Sequence, residues 1–172
     1  MSTSPRRAVF LASALSQMNA PYRWGGKGER SDIEGPRVFD CSGLVTWSLH
    51  QAGGPDWRPT HNTDVLWAEC TPVASEADLQ PGDLVLYGKG GDPEHVMIYV
   101  GAGCVVGATG GGHKTLTLAD AYQAGARVRA WPSMRYRQDV LGFRRLPYLD
   151  DVQSAPTPAL GIPAVTVPVP RA

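Results

Sequence analysis

The chain has 172 residues, within the range of one domain, with 42% hydrophobic and 19% charged residues. Lys+Arg 16 balances Asp+Glu 16, so no basic excess marks a nucleic-acid footprint and nucleic acid is excluded as an expected partner. No apolar run approaches the ~20 residues that a membrane-spanning helix needs.

Gly 20 and Pro 15 exceed ordinary usage and predict a loop-rich fold with at least one irregular segment. Met1 to Ala20 imitates a signal peptide, with Arg6 and Arg7 before Ala8-Val9-Phe10-Leu11-Ala12, but Ser13, Ser16, Gln17 and Asn19 soon interrupt it. Val9, Leu11, Ala12, Leu15 and Met18 share a helical face, so a folded first helix from Pro5 to Met18 is expected, with Ser4 as N-cap. Asn19-Ala20-Pro21 stops it, because the residue before a proline is pushed out of the α region. Tyr22 to Phe39, with Gly25, Gly26, Gly28, Gly35 and Pro36, reads as a loop.

From Cys41 the apolar spacing of Leu44, Val45, Leu49 and Ala52 predicts a helix closed by Gly53-Gly54-Pro55. A shorter helix is expected over Thr63 to Cys70. Strands follow at Leu84 to Tyr87 and at Val96 to Val100, the second turning through Gly101-Ala102-Gly103 into Cys104-Val105-Val106. Further strands are expected at Thr115 to Leu118, Val128 to Trp131 and Gly142 to Leu146. Helices first and strands after predict an α+β domain over residues 1–150, with N-terminal helices packed on a small antiparallel sheet. Residues 151–172 are Pro/Ala/Val-rich and read as an extended, polyproline-like tail.

Cys41, Cys70 and Cys104 form no CxxC and no zinc-like pairing with histidine, so neither a metal nor another cofactor is expected. Cys70 and Cys104 read as small, semi-buried hydrophobes. Cys41 opens an amphipathic helix, where unpaired N–H groups lower a thiol's pKa and can hold the oxyanion of an attacked carbonyl. Asp40 beside it also reads as a plain N-cap. His95, in Glu94-His95-Val96-Met97-Ile98, starts a strand that could hold its ring over the helix start as the thiol's base. His50 reads as a solvent-facing helix residue and His61 as a loop residue, while His113, in the loop after Gly110-Gly111-Gly112, stays a candidate.

Four segments together resemble the NlpC/P60 family of cell-wall peptidases, a branch of the papain-like cysteine peptidases. They are Pro21-Tyr22-Arg23-Trp24-Gly25-Gly26, Asp40-Cys41-Ser42-Gly43-Leu44-Val45, Leu79-Gln80-Pro81-Gly82-Asp83-Leu84-Val85 and His95-Val96-Met97-Ile98-Tyr99-Val100-Gly101, in the family's order. The likeness covers roughly Pro5 to Leu146. It implies a circularly permuted papain-like fold and a thiol-dependent endopeptidase acting on peptidoglycan stem peptides, between γ-D-glutamate and the following diamino acid. It makes Cys41 the nucleophile and His95 the base, gives Tyr22 a place at the oxyanion hole, and lets Asp40 and Ser42 line the site. Tyr22 and Trp24 also read as core aromatics, and Ser42 as a helix-start hydroxyl.

One position departs from the pattern. The family carries a third polar residue, often histidine, on the next strand, and the usual interval of twelve from His95 falls on Gly107. That leaves His113, Thr109, a backbone carbonyl or water to orient the ring. The charged Gly25 to Phe39 insert reads as a determinant of substrate choice or as a plain solvated loop. A catalytically impaired wall-binding module and an amidase or acyltransferase acting on a non-murein amide are the rival readings. A monomer acting at the bacterial wall is expected, as a phage lysin, a tail-associated hydrolase, an exported effector or a secreted enzyme.

Overall fold

The computed structural model describes residues 4–150. Helix α1 runs Pro5–Leu15, where Ser4 accepts a hydrogen bond from the Arg7 N–H and Pro5 occupies the first turn. It ends one turn before the expected Met18. The expected loop before Cys41 contains a short two-stranded ribbon, β1 (Lys27–Arg30) and β2 (Arg37–Phe39). Gly28 makes this ribbon possible: its φ is +91°, and a Cβ there would strike the Trp47 ring.

Helix α2 (Cys41–Gln51) is buried almost all round, because α1, β1 and the sheet enclose it. Leu44 and Leu49 are fully buried, each contributing roughly 1.5–3 kcal/mol. Helix α3 (Thr63–Glu69) is capped by Asn62. The strands are β3 (Thr71–Val73), β4 (Leu84–Lys89), β5 (Asp92–Gly101), β6 (Cys104–Thr109), β7 (Arg127–Trp131) and β8 (Val140–Arg145), in the antiparallel order β3-β8-β4-β5-β6-β7. This is the expected α+β architecture.

Thr115 to Thr117 is an irregular lead-in to α4 (Leu118–Ala124), and no strand forms over Thr115 to Leu118. The Thr-Leu-Thr-Leu alternation mimics a strand, but Thr117 and Asp120 form a reciprocal capping box that commits the chain to a helix. The expected tail, residues 151–172, lies outside the described residues.

The sheet's two faces carry different cores. Val96, Ile98, Val106 and Ala108 face the helices with Phe10, Leu44 and Leu49. Val85, Tyr87, Met97 and Val105 face the other way, under Met134, Trp131 and Tyr136. Asp83, fully buried, ties the layers together by accepting from the Gln80 N–H, from Arg7 at 3.3 Å and from Arg145 at 2.9 and 2.6 Å.

Candidate active site

Cys41 is the first residue of α2, and the Asp40 carboxylate caps that helix by accepting the Gly43 N–H. The backbone of Gly26 lies directly against this turn. Its carbonyl accepts the Asp40 N–H at 2.8 Å, and a Cβ on residue 43 would overlap it, so position 43 has room only for glycine. The helix start is held from both sides.

The Cys41 side chain is buried, with Thr63 Oγ1 3.8 Å from Sγ and the backbone N–H groups of Val96 and Ser42 directed at the sulfur. Burial pushes the thiol pKa up and the Asp40 carboxylate adds to this, outweighing the Val96 N–H, Thr63 and the Ser42 N–H. The helix start alone was expected to lower it. Desolvation reverses the sign, so Cys41 rests as a thiol.

His95, adjacent in β5 to the residue whose N–H faces Sγ, is also buried. Burial first, and the Arg137 cation second, bring its imidazole down to about 4, against a smaller upward pull from Asp139. Its Nε2 is buried with no hydrogen-bond partner. Among the described residues no hydrogen bond joins the imidazole to Sγ; the resting pair is neutral thiol and neutral imidazole.

Cys41 opens into a cleft of about 530 Å³ that Tyr22, Trp24, Asp40 and Ser42 also line. Tyr22 is buried against Gly111, and burial, together with the negative charge that Cys41 and Asp40 can carry, raises its phenol pKa. Ser42 donates to Asp40 Oδ1 at 3.0 Å, while Lys27 Nζ reaches both Asp40 oxygens at 3.2 Å and Ser42 Oγ at 2.9 Å. Lys27 belongs to the charged insert, so its presence was signalled as a class but its position was not. Nothing in the sequence singled out Thr63. Asp64 from α3 and Asp92 and Glu94 from β5 also line the cleft, Glu94 with Arg137 3.7 Å away.

His113 is exposed, with its ring edge-on to Trp24 at 6.5 Å, and no hydrogen bond links it to His95. At position 107, which lacks a side chain, a Cβ would overlap the Met97 sulfur. Met97 thus fills the space a side chain at 107 would take. Among the described residues no three His, Cys, Asp or Glu side chains gather into a group that could hold a metal ion.

A family model described as NlpC/P60 matches residues 19–131, about two thirds of the chain and the whole of this site. The chain belongs to the NlpC/P60 family. A probable endopeptidase of Mycobacterium tuberculosis is 40% identical over 100 residues, covering 58% of this chain and 23% of that protein. The chain therefore spans about a quarter of the length of that curated relative. Among solved structures, the NlpC/p60 domain of the peptidoglycan hydrolase SagA is 26% identical with a TM-score of 0.57, over 81% of this chain and 97% of that one. The peptidoglycan hydrolase RipB of Mycobacterium tuberculosis is likewise 26% identical, with a TM-score of 0.56, over 82% of this chain and 64% of that one. As a member of the NlpC/P60 family, the chain has the papain-like α+β fold of these domains.

Proposed function

We propose that this NlpC/P60 domain is a cysteine endopeptidase that hydrolyses peptidoglycan stem peptides at the γ-D-glutamyl–diamino acid bond. The observation that carries the proposal is the buried Cys41 thiol at the start of α2, opening on the cleft beside Tyr22 with backbone N–H groups directed at its sulfur. In this reading His95 takes the Sγ proton as sulfur attacks the scissile carbonyl carbon. The oxyanion is held by helix-start N–H groups and the Tyr22 hydroxyl. On collapse the leaving amine takes the proton from His95, and water then hydrolyses the thioester by the same route.

Lys27 on one element and Asp64, Asp92 and Glu94 on others suit a ligand with a carboxylate and an ammonium group on neighbouring residues. A γ-D-glutamyl–diamino acid link has both. Asp40 and Ser42 act here by holding Lys27 towards the cleft. The site of action is the bacterial wall, as a phage lysin or exported effector.

Mass spectrometry of purified murein fragments after digestion tests this directly. Cleavage at the γ-D-glutamyl bond by the wild type and none by Cys41→Ala or His95→Ala is expected. Activity retained in Cys41→Ala, or cleavage at a different bond, refutes it. The unpartnered Nε2 of His95 favours one second reading, a wall-binding domain with impaired catalysis. That reading predicts wild-type binding to murein sacculi without any released peptide.

A further inference from the structure

The His95 imidazole needs one nitrogen free to accept the thiol proton and the other held, because a base of unfixed tautomer spends time in the wrong one. Nε2 is the nitrogen without a partner, and it is not alone. The Tyr136 hydroxyl, on the 3-10 turn Met134–Tyr136, is also buried, and no side chain meets it in full hydrogen-bond geometry although the Thr109 hydroxyl lies beside it. A buried polar group left unsatisfied is costly.

Both groups pack against one ring, that of Tyr87. The Tyr87 ring packs against His95 at 5.8 Å and against Tyr136 at 5.5 Å between centroids. Tyr136 in turn lies flat on Trp131 at 4.7 Å, which fixes its plane. The β5–β6 register pairs Ile98 with Val106 and Tyr99 with Val105; continued, it puts Thr109 opposite His95. Thr109 also lies beside the Tyr136 hydroxyl.

Trp131 Nε1 is also buried without a partner, but an indole N–H only donates and cannot accept from the imidazole. The remaining acceptors are engaged or lie elsewhere. The Tyr87 hydroxyl donates to the Met134 carbonyl at 2.8 Å, and Asp139 accepts from the Arg137 guanidinium through both oxygens. His113 stands beside Trp24, and position 107 is closed by Met97.

We propose that Tyr136, backed by Thr109, is the positioning residue for His95, its hydroxyl holding Nε2–H through at most one bridging water. Tyr136 Oη accepts from Nε2–H and donates to Thr109 Oγ1, which leaves the Nδ1 lone pair for the Cys41 proton. The arrangement orients the ring without adding a negative charge beneath it. Only the catalytic consequence rests on the peptidase reading, since the tautomer exists with or without turnover.

The test combines histidine-selective 15N NMR with kinetics on a purified stem peptide, for the wild type, Tyr136→Phe and Thr109→Val. Tyr136→Phe keeps the stack on Trp131 and removes one oxygen. The wild type should show His95 as a single Nε2–H tautomer, and Tyr136→Phe a mixture, with kcat lowered about tenfold and KM unchanged, about 1.4 kcal/mol in the transition state. Thr109→Val should act in the same direction and less strongly. An Nδ1–H tautomer in the wild type, or a tautomer and kcat indifferent to both substitutions, overturns the inference. A tautomer that responds to Tyr136→Phe in a protein that cleaves no murein would support Tyr136 while refuting the peptidase reading.

Discussion

Acid should weaken this protein through one buried side chain. In the unfolded chain His95 binds a proton near 6.5, but in the folded protein burial and the Arg137 cation delay protonation until about 4. A depressed folded-state value means the stabilising contribution is fully present above the unfolded value, declines as the pH falls through the gap, and stops declining near the folded value. Across that gap, at about 1.36 kcal/mol per pH unit, the loss is roughly 3 kcal/mol. That is a sizeable fraction of the ~5–15 kcal/mol typical of a domain. Urea unfolding of the wild type and His95→Gln at several pH values between about 7 and 4 isolates the effect, because the carboxylates, His50, His61 and His113 are common to both. The wild type should lose roughly 3 kcal/mol relative to the variant over this range. Parallel pH curves, or an NMR titration of His95 with a midpoint near 6.5, would refute the reasoning.

Three further outcomes follow from contacts described above. Asp40→Asn keeps an acceptor for the Gly43 N–H but removes the charge that helps raise the Cys41 thiol, so alkylation by iodoacetamide at fixed pH should accelerate; an unchanged or slower rate would count against the electrostatic account. Gly107→His should destabilise by about 1–3 kcal/mol through overlap with Met97, and a double-mutant cycle with Met97→Gly should show favourable coupling of about 1 kcal/mol or more in thermal unfolding. Thr117→Ala removes half of the α4 capping box and should cost about 1 kcal/mol by the same measurement.

Much of this architecture was legible because burial imposes period. The three-to-four spacing of Leu44, Val45 and Leu49 marks α2, and the apolar run from Val96 marks a strand buried on both faces. Local alternation misled at Thr115 to Leu118, where the three-residue interval from Thr117 to Asp120 was the stronger signal. The ribbon of β1 and β2 was hidden because it requires Gly28 to approach Trp47 closely, a fit between distant residues. In the cleft, the neighbourhood of Cys41, Tyr22, Asp40 and Ser42 could be read from ordered motifs. The sign of the thiol's shift could not, because desolvation depends on what covers the sulfur, and Thr63 and the Val96 N–H arrive from other elements. Tyr136 carried no motif; its buried hydroxyl draws attention only because it and His95, whose Nε2 lacks a partner, pack on the same Tyr87 ring.

The packing of Met97 on Gly107 also constrains the order in which this sequence can change. A polar side chain at 107 arriving first would meet the Met97 sulfur and lose stability before it could serve His95, whereas shortening Met97 first opens a void that a later residue at 107 can fill. Each single step should cost stability, so the two positions form an energetically linked pair. With Met97 filling the space over Gly107, a support for the base is more readily supplied from another element of the fold than built at position 107 on β6.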